Sequence, residues 1–208
     1  MFEIVLENAG KRYNRDWIFR GVDYRFFSGK SYAVTGNNGS GKSTLLQCIA
    51  GAMDLKEGKC LYKKNQQLLK PENYFQHIAV VAPYLELIEE MTALEFLHFH
   101  ASFKKFKEAN NAKDILEAVG LKEAAHKQIR YFSSGMKQRI KLAQAIFSDT
   151  EILLLDEPCT NLDSEGYELY QNLVKQHAGD KIVIVSSNDK NEYSFCEEII
   201  DIRKYKIA

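Results

Sequence analysis

Short runs of apolar residues recur along the chain, and each ends in a polar or glycine-containing stretch. The runs lie in SYAVTG (31–36), HIAVVAP (77–83), EILLLDEP (151–158) and KIVIVSS (181–187). Unbroken apolar runs of this length are typical of strands that are covered on both faces of a sheet. Segments with helical character, such as STLLQCIAGAM (43–53) and residues 164–177, separate some of these runs. Buried strands that alternate with helices predict an α/β core.

Two further patterns extend this core. From residue 1 to about 35, the short apolar and aromatic segments FEIVLE and WIFRGVDYRFF alternate with turns and lead into the first buried run. This pattern predicts an antiparallel sheet. From about 84 to 148 the pattern is mostly helical and predicts an inserted helical subdomain. We therefore expect a single domain over 1–208, in which 1–83 and 149–208 form the α/β core and its β subdomain. The tail EEIIDIRKYKIA predicts one or two short strands.

Composition indicates an ordinary globular protein. Of the 208 residues 45% are hydrophobic, and 28 basic residues balance 28 acidic ones. A net charge of zero argues against a nucleic-acid partner, which would normally require a basic surface. No apolar run approaches the ~18 residues of a membrane span, and MFEIVLENAG lacks the features of a signal peptide. Four widely spaced cysteines without a C-x-x-C pair indicate free thiols in a reducing compartment, so we expect a cytoplasmic protein.

The segment GNNGSGKST fits the phosphate-loop pattern G-x-x-x-x-G-K-[ST] at every fixed position, and it lies between a predicted strand and a predicted helix. Glycines let successive backbone N–H groups face phosphate oxygens, and the helix adds its positive N-terminal end. Lys42 would reach the β- and γ-phosphates, and the Ser43 hydroxyl would bind Mg²⁺. The predicted nucleotide-binding residues of this phosphate loop are Gly36, Asn37, Asn38, Gly39, Ser40, Gly41, Lys42, Ser43 and Thr44.

The run EILLLDEP carries two carboxylates to the end of a buried strand. Asp156 would hold the Mg²⁺ shell together with Ser43. Glu157 would face the γ-phosphate and orient or deprotonate the attacking water. We therefore predict that Ser43 and Asp156 bind the metal and that Glu157 and Lys42 are catalytic.

A third motif lies between these two. In YFSSGMKQRIKLAQAIFSD (131–149), Ser133, Ser134 and Gly135 precede a strong helix-forming segment, an arrangement typical of a helix N-cap with exposed N–H groups. With this motif, the chain resembles the nucleotide-binding subunit of an ABC (ATP-binding cassette) transporter, whose signature is LSGGQ. FSSGM departs from that signature at Ser134 and Met136, and the KQR that follows also matches the family.

The resemblance covers essentially the whole chain and implies a P-loop NTPase core with a β subdomain and an inserted helical subdomain. It implies ATP and Mg²⁺ as ligands, and a head-to-tail dimer in which Ser133–Met136 of one subunit close over the ATP of the other. Tyr13 matches the aromatic residue that stacks on adenine, and Asn161–Asp163 match the D-loop. It also implies a membrane permease as partner, which would hold the subunit at the inner face of the cell membrane.

Two positions depart from the family pattern. Pro83 stands where the family carries a glutamine, and proline has neither a polar side-chain group nor an N–H. Asn188 stands in place of the switch histidine. Its amide can donate to a γ-phosphate oxygen but cannot take up a proton near neutral pH. Two hypotheses follow: an active ATPase in which Glu157 carries the chemistry and Asn188 keeps the phosphate contact, or an ATP-gated subunit with little turnover. Glu86 is the nearest acidic residue that could act near Pro83 through water.

Two functions remain open from the sequence. The first is an ATPase subunit that drives a separate permease, and the compact chain favours an exporter-type cassette. The alternative is a soluble cassette protein with a regulatory, ribosomal or nucleic-acid role. Such proteins usually carry tandem cassettes, coiled-coil insertions or basic extensions, and the single cassette and zero net charge of this chain favour transport.

Overall fold

The computed structural model describes residues 1–107 and 111–206. These residues form two sheets, surrounded by helices. The strands are β1 (Phe2–Tyr13), β2 (Asp16–Phe27), β3 (Ser31–Thr35), β4 (Glu57–Lys64), β5 (Gln67–Leu68), β6 (Ile78–Val81), β7 (Ile152–Asp156), β8 (Ile182–Ser186) and β9 (Glu198–Asp201). The α-helices are α1 (Lys42–Ile49), α2 (Ala93–Phe103), α3 (Ala112–Ala118), α4 (Ser134–Ile146), α5 (Ser164–His177) and α6 (Lys190–Tyr193). Short 3-10 helices span Pro71–His77, Lys122–Ala124, Ile129–Tyr131 and Ile202–Tyr205.

The core is a five-stranded parallel sheet in the order β6-β7-β8-β3-β9. Successive residues of β8 face opposite sides: Ile182 and Ile184 belong to one buried cluster, whereas Val183 and Val185 belong to the other. Residues 152–155 of β7 alternate in the same way. Both faces of the sheet are therefore covered, which explains the unbroken apolar runs and confirms the predicted α/β core.

The two clusters lie on opposite faces of the parallel sheet. On one face, the cluster that contains Val183 and Val185 joins the sheet to α2, α3, α4 and α5. On the other, the cluster that contains Ile182 and Ile184 joins it to α1 and to the antiparallel sheet, whose order is β2-β1-β4-β5. The mixed fold with an antiparallel sheet and a helical block is the one predicted. The boundaries near 84 and 148 stay predictions, because the helical block shares its core with the sheet.

Two parts of the structure differ from the sequence patterns. β4 and β5 were not predicted, because β4 carries exposed lysines such as Lys59 and Lys64 in place of an apolar alternation. The tail forms one strand, β9, and then a 3-10 helix rather than a second strand. The last two residues of the predicted tail lie outside the described residues. No helix of the described chain is long and apolar enough to cross a membrane.

Candidate nucleotide-binding site

The predicted phosphate loop connects β3 to α1 at the carboxyl edge of the parallel sheet. In the same sheet, β7 ends at Asp156 and β8 ends at Ser186, which are register partners. Val34, near the end of β3, is the other register partner of Ser186. Since parallel strands end at one edge, this topology brings the three segments together where open α/β sheets bind their ligands.

Two glycines of the loop have backbone geometry that other residues rarely adopt. Gly36 has φ +147°, and a Cβ there would lie 2.6 Å from Ser40 Oγ. Gly41 has φ +104°, and a Cβ there would overlap the Ile18 side chain of β2. The loop is therefore curled tightly against the antiparallel sheet, which requires glycine at both positions.

The start of α1 is suited to an anion. Its N-cap, Gly41, makes no side-chain capping bond, and the first turn carries no acidic residue. The first N–H groups of the helix therefore keep their capacity to donate, and the helix dipole adds positive charge. Ser40 Oγ is buried and has no hydrogen-bond partner among the described residues. These features fit a phosphate group.

Lys42 is buried and folds back across the phosphate loop. Its Nζ donates to the carbonyl oxygen of Gly36 at 2.8 Å and lies 3.4 Å from that of Asn37. The ammonium group thus lies directly within the curl of the loop. A phosphate that entered the loop would meet this charge at close range.

Ser43 and Asp156 meet across the sheet edge. The Ser43 hydroxyl donates to Asp156 Oδ1 at 3.0 Å, and Asp156 is buried. Mg²⁺ typically binds one or two carboxylates together with waters and substrate phosphates, so a hydroxyl and a carboxylate in contact fit such a site. No group of three or more His, Cys, Asp or Glu side chains that could hold a metal occurs in the described chain.

Glu157 has a strained backbone. Its φ is +46°, in the left-handed region that non-glycine residues rarely adopt. Its N–H donates to the Ser186 carbonyl at 2.9 Å, and its own carbonyl accepts from Thr160 N at 3.2 Å and from Thr160 Oγ1 at 2.9 Å. These bonds hold the unusual conformation at the position where a catalytic base is predicted.

Asn188 lies in the exposed loop after β8 and contacts the phosphate loop. Its Nδ2 donates to Asn38 Oδ1 at 2.8 Å. The two asparagines join the loops that follow β8 and β3. The structure therefore brings Asn188 to the predicted nucleotide site.

The predicted signature segment caps α4. Ser133 is the N-cap and its Oγ accepts from Met136 N at 3.2 Å, as the sequence predicted. A Cβ on Gly135 would lie 3.3 Å from the Asn161 carbonyl oxygen, so this segment lies beside the D-loop. In the described chain no hydrogen bond joins Ser133–Met136 to residues 36–44.

Tyr13 lies at the end of β1, and 46% of it is exposed. Its hydroxyl donates to Met53 Sδ at 2.9 Å. The Lys11 ammonium lies 5.5 Å from the centre of its ring. Tyr13 is thus held at its hydroxyl end, while its predicted contact with adenine stays a prediction.

Tyr84 is a neighbour of the site that the sequence did not indicate. It follows Pro83, and its side chain faces Gln47 of α1. Burial, together with the charge of nearby Asp156, raises the pKa of the Tyr84 phenol. The carbonyl of Pro83 accepts from Lys141 Nζ at 3.4 Å. Glu86, the nearest acidic residue in this loop, lies close enough to Lys141 for its charge to favour the charged lysine.

Gln138, in the KQR that follows the signature, joins α4 to the loop after β7. Its Nε2 donates to the carbonyl oxygen of Pro158 at 2.6 Å, and the residue is buried. Pro158 directly follows Glu157. The helix that begins at the signature is thus tied to the segment that carries the predicted base.

Known proteins share these motifs and this fold. A family model described as ABC transporter matches residues 19–160. An uncharacterized ABC transporter ATP-binding protein of Bacillus subtilis (strain 168), YybJ, is 30% identical over 204 residues, which cover 97% of this chain and 92% of that protein. The cytochrome c biogenesis ATP-binding export protein CcmA of Rhizobium etli is 30% identical over 181 residues, 84% of this chain and 82% of that protein.

Solved structures agree with these relatives. A dimeric structure of MJ0796, a bacterial ABC transporter cassette, is 27% identical and has a TM-score of 0.81 over 96% of this chain and 94% of that chain. A putative ABC transporter ATP-binding protein from Pyrococcus furiosus, 21% identical, has the same fold, with a TM-score of 0.83 over 99% of this chain and 100% of that chain. The chain therefore belongs to the ABC transporter family, as an ATP-binding cassette with the P-loop NTPase fold.

Proposed function

We propose that this chain is the ATP-hydrolysing subunit of an exporter-type ABC transporter and that it drives a separate membrane permease. The main observation in support of ATPase activity is the contact between Ser43 Oγ and Asp156 Oδ1, which lie 3.0 Å apart. Lys42 lies within the same loop, and Glu157 follows Asp156 directly. This set contains a cation for phosphate, a hydroxyl and a carboxylate for Mg²⁺, and a candidate base.

The proposed reaction assigns one role to each of these residues. Lys42 and the first N–H groups of α1 would hold the β- and γ-phosphates, while Ser43 and Asp156 would hold Mg²⁺. Mg²⁺, when bound, neutralises charge on the phosphate oxygens. Glu157 takes a proton from water as the water oxygen bonds to the γ-phosphorus. The bond to the bridging oxygen breaks, and ADP and phosphate are released.

Asn188 would contact the γ-phosphate in this reaction. Its Nδ2 hydrogen, which is donated to Asn38 in this structure, would be donated to a γ-phosphate oxygen when ATP is bound. The exchange of one acceptor for another requires only a local movement of the exposed side chain. Glu157, and not Asn188, would accept the proton from water.

We further propose that two copies of this chain close head to tail over ATP. Among the described residues of one chain, no hydrogen bond joins Ser133–Met136 to the phosphate loop, which supports this arrangement. The similar cassette MJ0796 has been solved as a dimer, including a post-hydrolysis state bound to ADP and phosphate. The signature segment of the second copy, Ser133–Met136, would then complete each site, and Tyr13 would stack on adenine.

Association with a permease would hold the subunit at the inner face of the cell membrane. The similarity to CcmA, which is named an export protein, supports the exporter type. Co-expression with a polytopic membrane protein from a neighbouring gene tests this part. We expect the chain in the membrane fraction only when that protein is present. Recovery on ribosomes instead would favour the alternative of a soluble cassette.

Phosphate release by the purified protein tests the ATPase activity. We expect release that depends on Mg²⁺ and that Glu157→Gln abolishes, while ATP binding is retained. Glu168→Gln, an exposed change on α5, is the matched control and should leave release unchanged. Equal release by Glu157→Gln and the unchanged protein would contradict the proposed role of Glu157.

A second candidate is an ATP-gated subunit with little turnover. Pro83 in place of a glutamine and Asn188 in place of a histidine favour it, because both changes remove polar or titratable groups near the attacking water. Tight ATP binding with release at background, even with the membrane partner present, would establish this candidate over the active ATPase.

A further inference from the structure

A buried carboxyl group lies beside the proposed site and has no role in the reaction described above. Glu192 belongs to the short helix α6, and only 4% of it is exposed. Carboxyl groups are rarely this buried unless hydrogen bonds satisfy them. The partners of Glu192 therefore indicate what its carboxyl group does in the fold.

The carboxyl group of Glu192 joins two loops. Its Oε1 accepts a hydrogen bond from the backbone N–H of Cys159 at 2.8 Å. The side chain of Ser187 lies close enough to the same carboxyl group to lower its pKa. Cys159 lies two residues after Glu157, and Ser187 immediately precedes Asn188. One side chain thus connects the loop of the proposed base to the loop of the proposed γ-phosphate contact.

Glu192 is itself held firmly against α5. Its backbone carbonyl accepts from the hydroxyl of Tyr170, which is fully buried, at 2.9 Å. Asp189 caps α6 through Asn191 N at 2.9 Å, and its other oxygen accepts from the Tyr167 hydroxyl at 2.9 Å. The bridge between the loops is therefore anchored on an α-helix, and sites built on helices are held more precisely than sites on loops.

The surroundings of Glu192 act on its carboxyl group in two opposite directions. Burial raises the pKa of Glu192, and the negative charges of Asp189 and Glu157 act in the same direction. The neighbouring Ser187 side chain and the hydrogen bond from the N–H of Cys159 oppose that rise. Loss of the side chain would leave the N–H of Cys159 buried without its acceptor.

We infer that Glu192 is a positioning residue for ATP hydrolysis, whose carboxyl group fixes Glu157 and Asn188 relative to one another. The inference rests on the proposed function, because it takes these two residues as base and γ-phosphate contact. Glu192 hydrogen-bonds to no residue of the phosphate loop in the described chain. Its loss should therefore lower kcat and leave ATP binding intact.

Two substitutions at this position test the inference in the full chain. In Glu192→Ala both loop contacts are lost, and we expect kcat to fall about 100-fold, the effect of a small misplacement of reacting groups. The Kd for a fluorescent ATP analogue should stay within about twofold. In Glu192→Gln the amide oxygen still accepts from Cys159 N, so most of kcat should return. Glu168→Ala is the matched exposed control.

Hydrogen exchange provides a readout that does not depend on turnover. Glu192→Ala should speed amide exchange in the segments that contain Cys159 and Ser187, and exchange in residues 36–44 should stay unchanged. Tyr170→Phe, which loosens Glu192 without touching either loop, should shift exchange in the same direction to a smaller extent. If Glu192→Ala fails to fold, Tyr170→Phe still tests the bridge.

The outcomes separate this inference from the proposed function. An unchanged kcat in Glu192→Ala, or a loss of ATP affinity equal to the loss of kcat, would overturn the positioning role. Unchanged exchange at Cys159 and Ser187 would overturn the bridge itself. Background turnover by the unchanged protein would overturn the ATPase proposal, and faster exchange at both loops in Glu192→Ala would still support the bridge.

Discussion

The side-chain amide of Asn188 donates a hydrogen bond to Oδ1 of Asn38, with 2.8 Å between Nδ2 and Oδ1. One residue follows β8 and the other lies in the phosphate loop. An asparagine amide can donate or accept a hydrogen bond, but it does not titrate near neutral pH and so cannot act as a general acid or base. Position 188 is therefore suited to a contact with phosphate and not to proton transfer.

Asn188→Ala should slow ATP hydrolysis at least about tenfold, as loss of a transition-state donor typically does. It should weaken ATP binding much less, because the phosphate-loop contacts remain. Asn188→His should be tolerated or faster. Phosphate release and nucleotide titration measure the two effects, with exposed Asn172→Ala as control. If Asn188→Ala changes neither quantity, residue 188 only forms the turn.

Gly41→Ala should destabilise the protein and weaken ATP binding. The residue has φ +104°, and the added Cβ would overlap Ile18. Such backbone strain costs ~1–3 kcal/mol in the free energy of unfolding. Urea unfolding and nucleotide titration measure both effects. Gly179→Ala is the control, since a Cβ there meets nothing within 4 Å. In the double variant with Ile18→Ala the overlap is relieved and the strain remains, so only part of the stability should return.

Asp156→Asn should raise the Mg²⁺ concentration needed for half-maximal hydrolysis by about tenfold or more. The amide keeps an oxygen near the Ser43 hydroxyl, but it lacks the charge that attracts the cation. ATP binding without Mg²⁺ should change little. Asp180→Asn, which alters an exposed ion pair with Lys107, is the matched control. An unchanged Mg²⁺ requirement would exclude Asp156 as a ligand.

Below neutral pH, His100 should destabilise the fold. Burial, with a smaller effect of Lys104, lowers the pKa of His100 from 6.5 to about 4. Ser148 Oγ donates to the Gln144 carbonyl at 2.5 Å, so His100 Nε2 must donate to Ser148 Oγ at 2.8 Å. Between these two pKa values the unfolded chain binds a proton that the folded chain does not. Stability present above pH 6.5 is therefore lost as the pH falls towards 4.

Urea unfolding from about pH 7 to about pH 5 checks this expectation. His100→Gln should lose less stability over that range than the unchanged protein. His98→Gln, on the exposed side of the same helix, should follow the unchanged protein. Identical pH dependence of all three proteins would contradict the assignment to His100.

The signature segment should act between two subunits. The Glu157→Gln variant with ATP should run as a dimer in size-exclusion chromatography with light scattering. Adding Gly135→Asp should abolish the dimer, because a carboxylate would face the phosphates, and should leave ATP binding to the monomer. An acidic residue in the first turn of α4 is favourable for the helix. Because the new Cβ would lie 3.3 Å from the Asn161 carbonyl oxygen, ATP binding by the monomer also serves as the check that the fold persists. Gly179→Asp is the distant control, and a dimer that survives Gly135→Asp would refute the head-to-tail arrangement.

The sequence predicted those parts of the structure that depend on one continuous stretch of residues. The strands that end at Thr35, Asp156 and Ser186 are unbroken apolar runs because both of their faces are buried. The phosphate loop and the Asp156–Glu157 pair lie within single motifs. Helix 164–177 was predicted with the bounds that it has.

Other parts depend on contacts between distant segments and have no local pattern. Tyr84 lies near the site because its loop packs against α1. Glu192 lies there because the loops that follow two different strands both approach its side chain. Ser186 ends an apolar run, yet its buried hydroxyl has no partner among the described residues. Only the assembled sheet edge shows that these side chains surround one site.

The division of the buried side chains by the parallel sheet has a practical consequence for engineering. Leu153 and Val183 belong to one cluster, and Leu154 and Ile184 to the other. Substitutions without shared partners usually add in free energy. Improvements found separately in the two layers, at positions more than about 7–10 Å apart, should therefore combine nearly additively, so a heat-resistant variant could be assembled from two independent libraries.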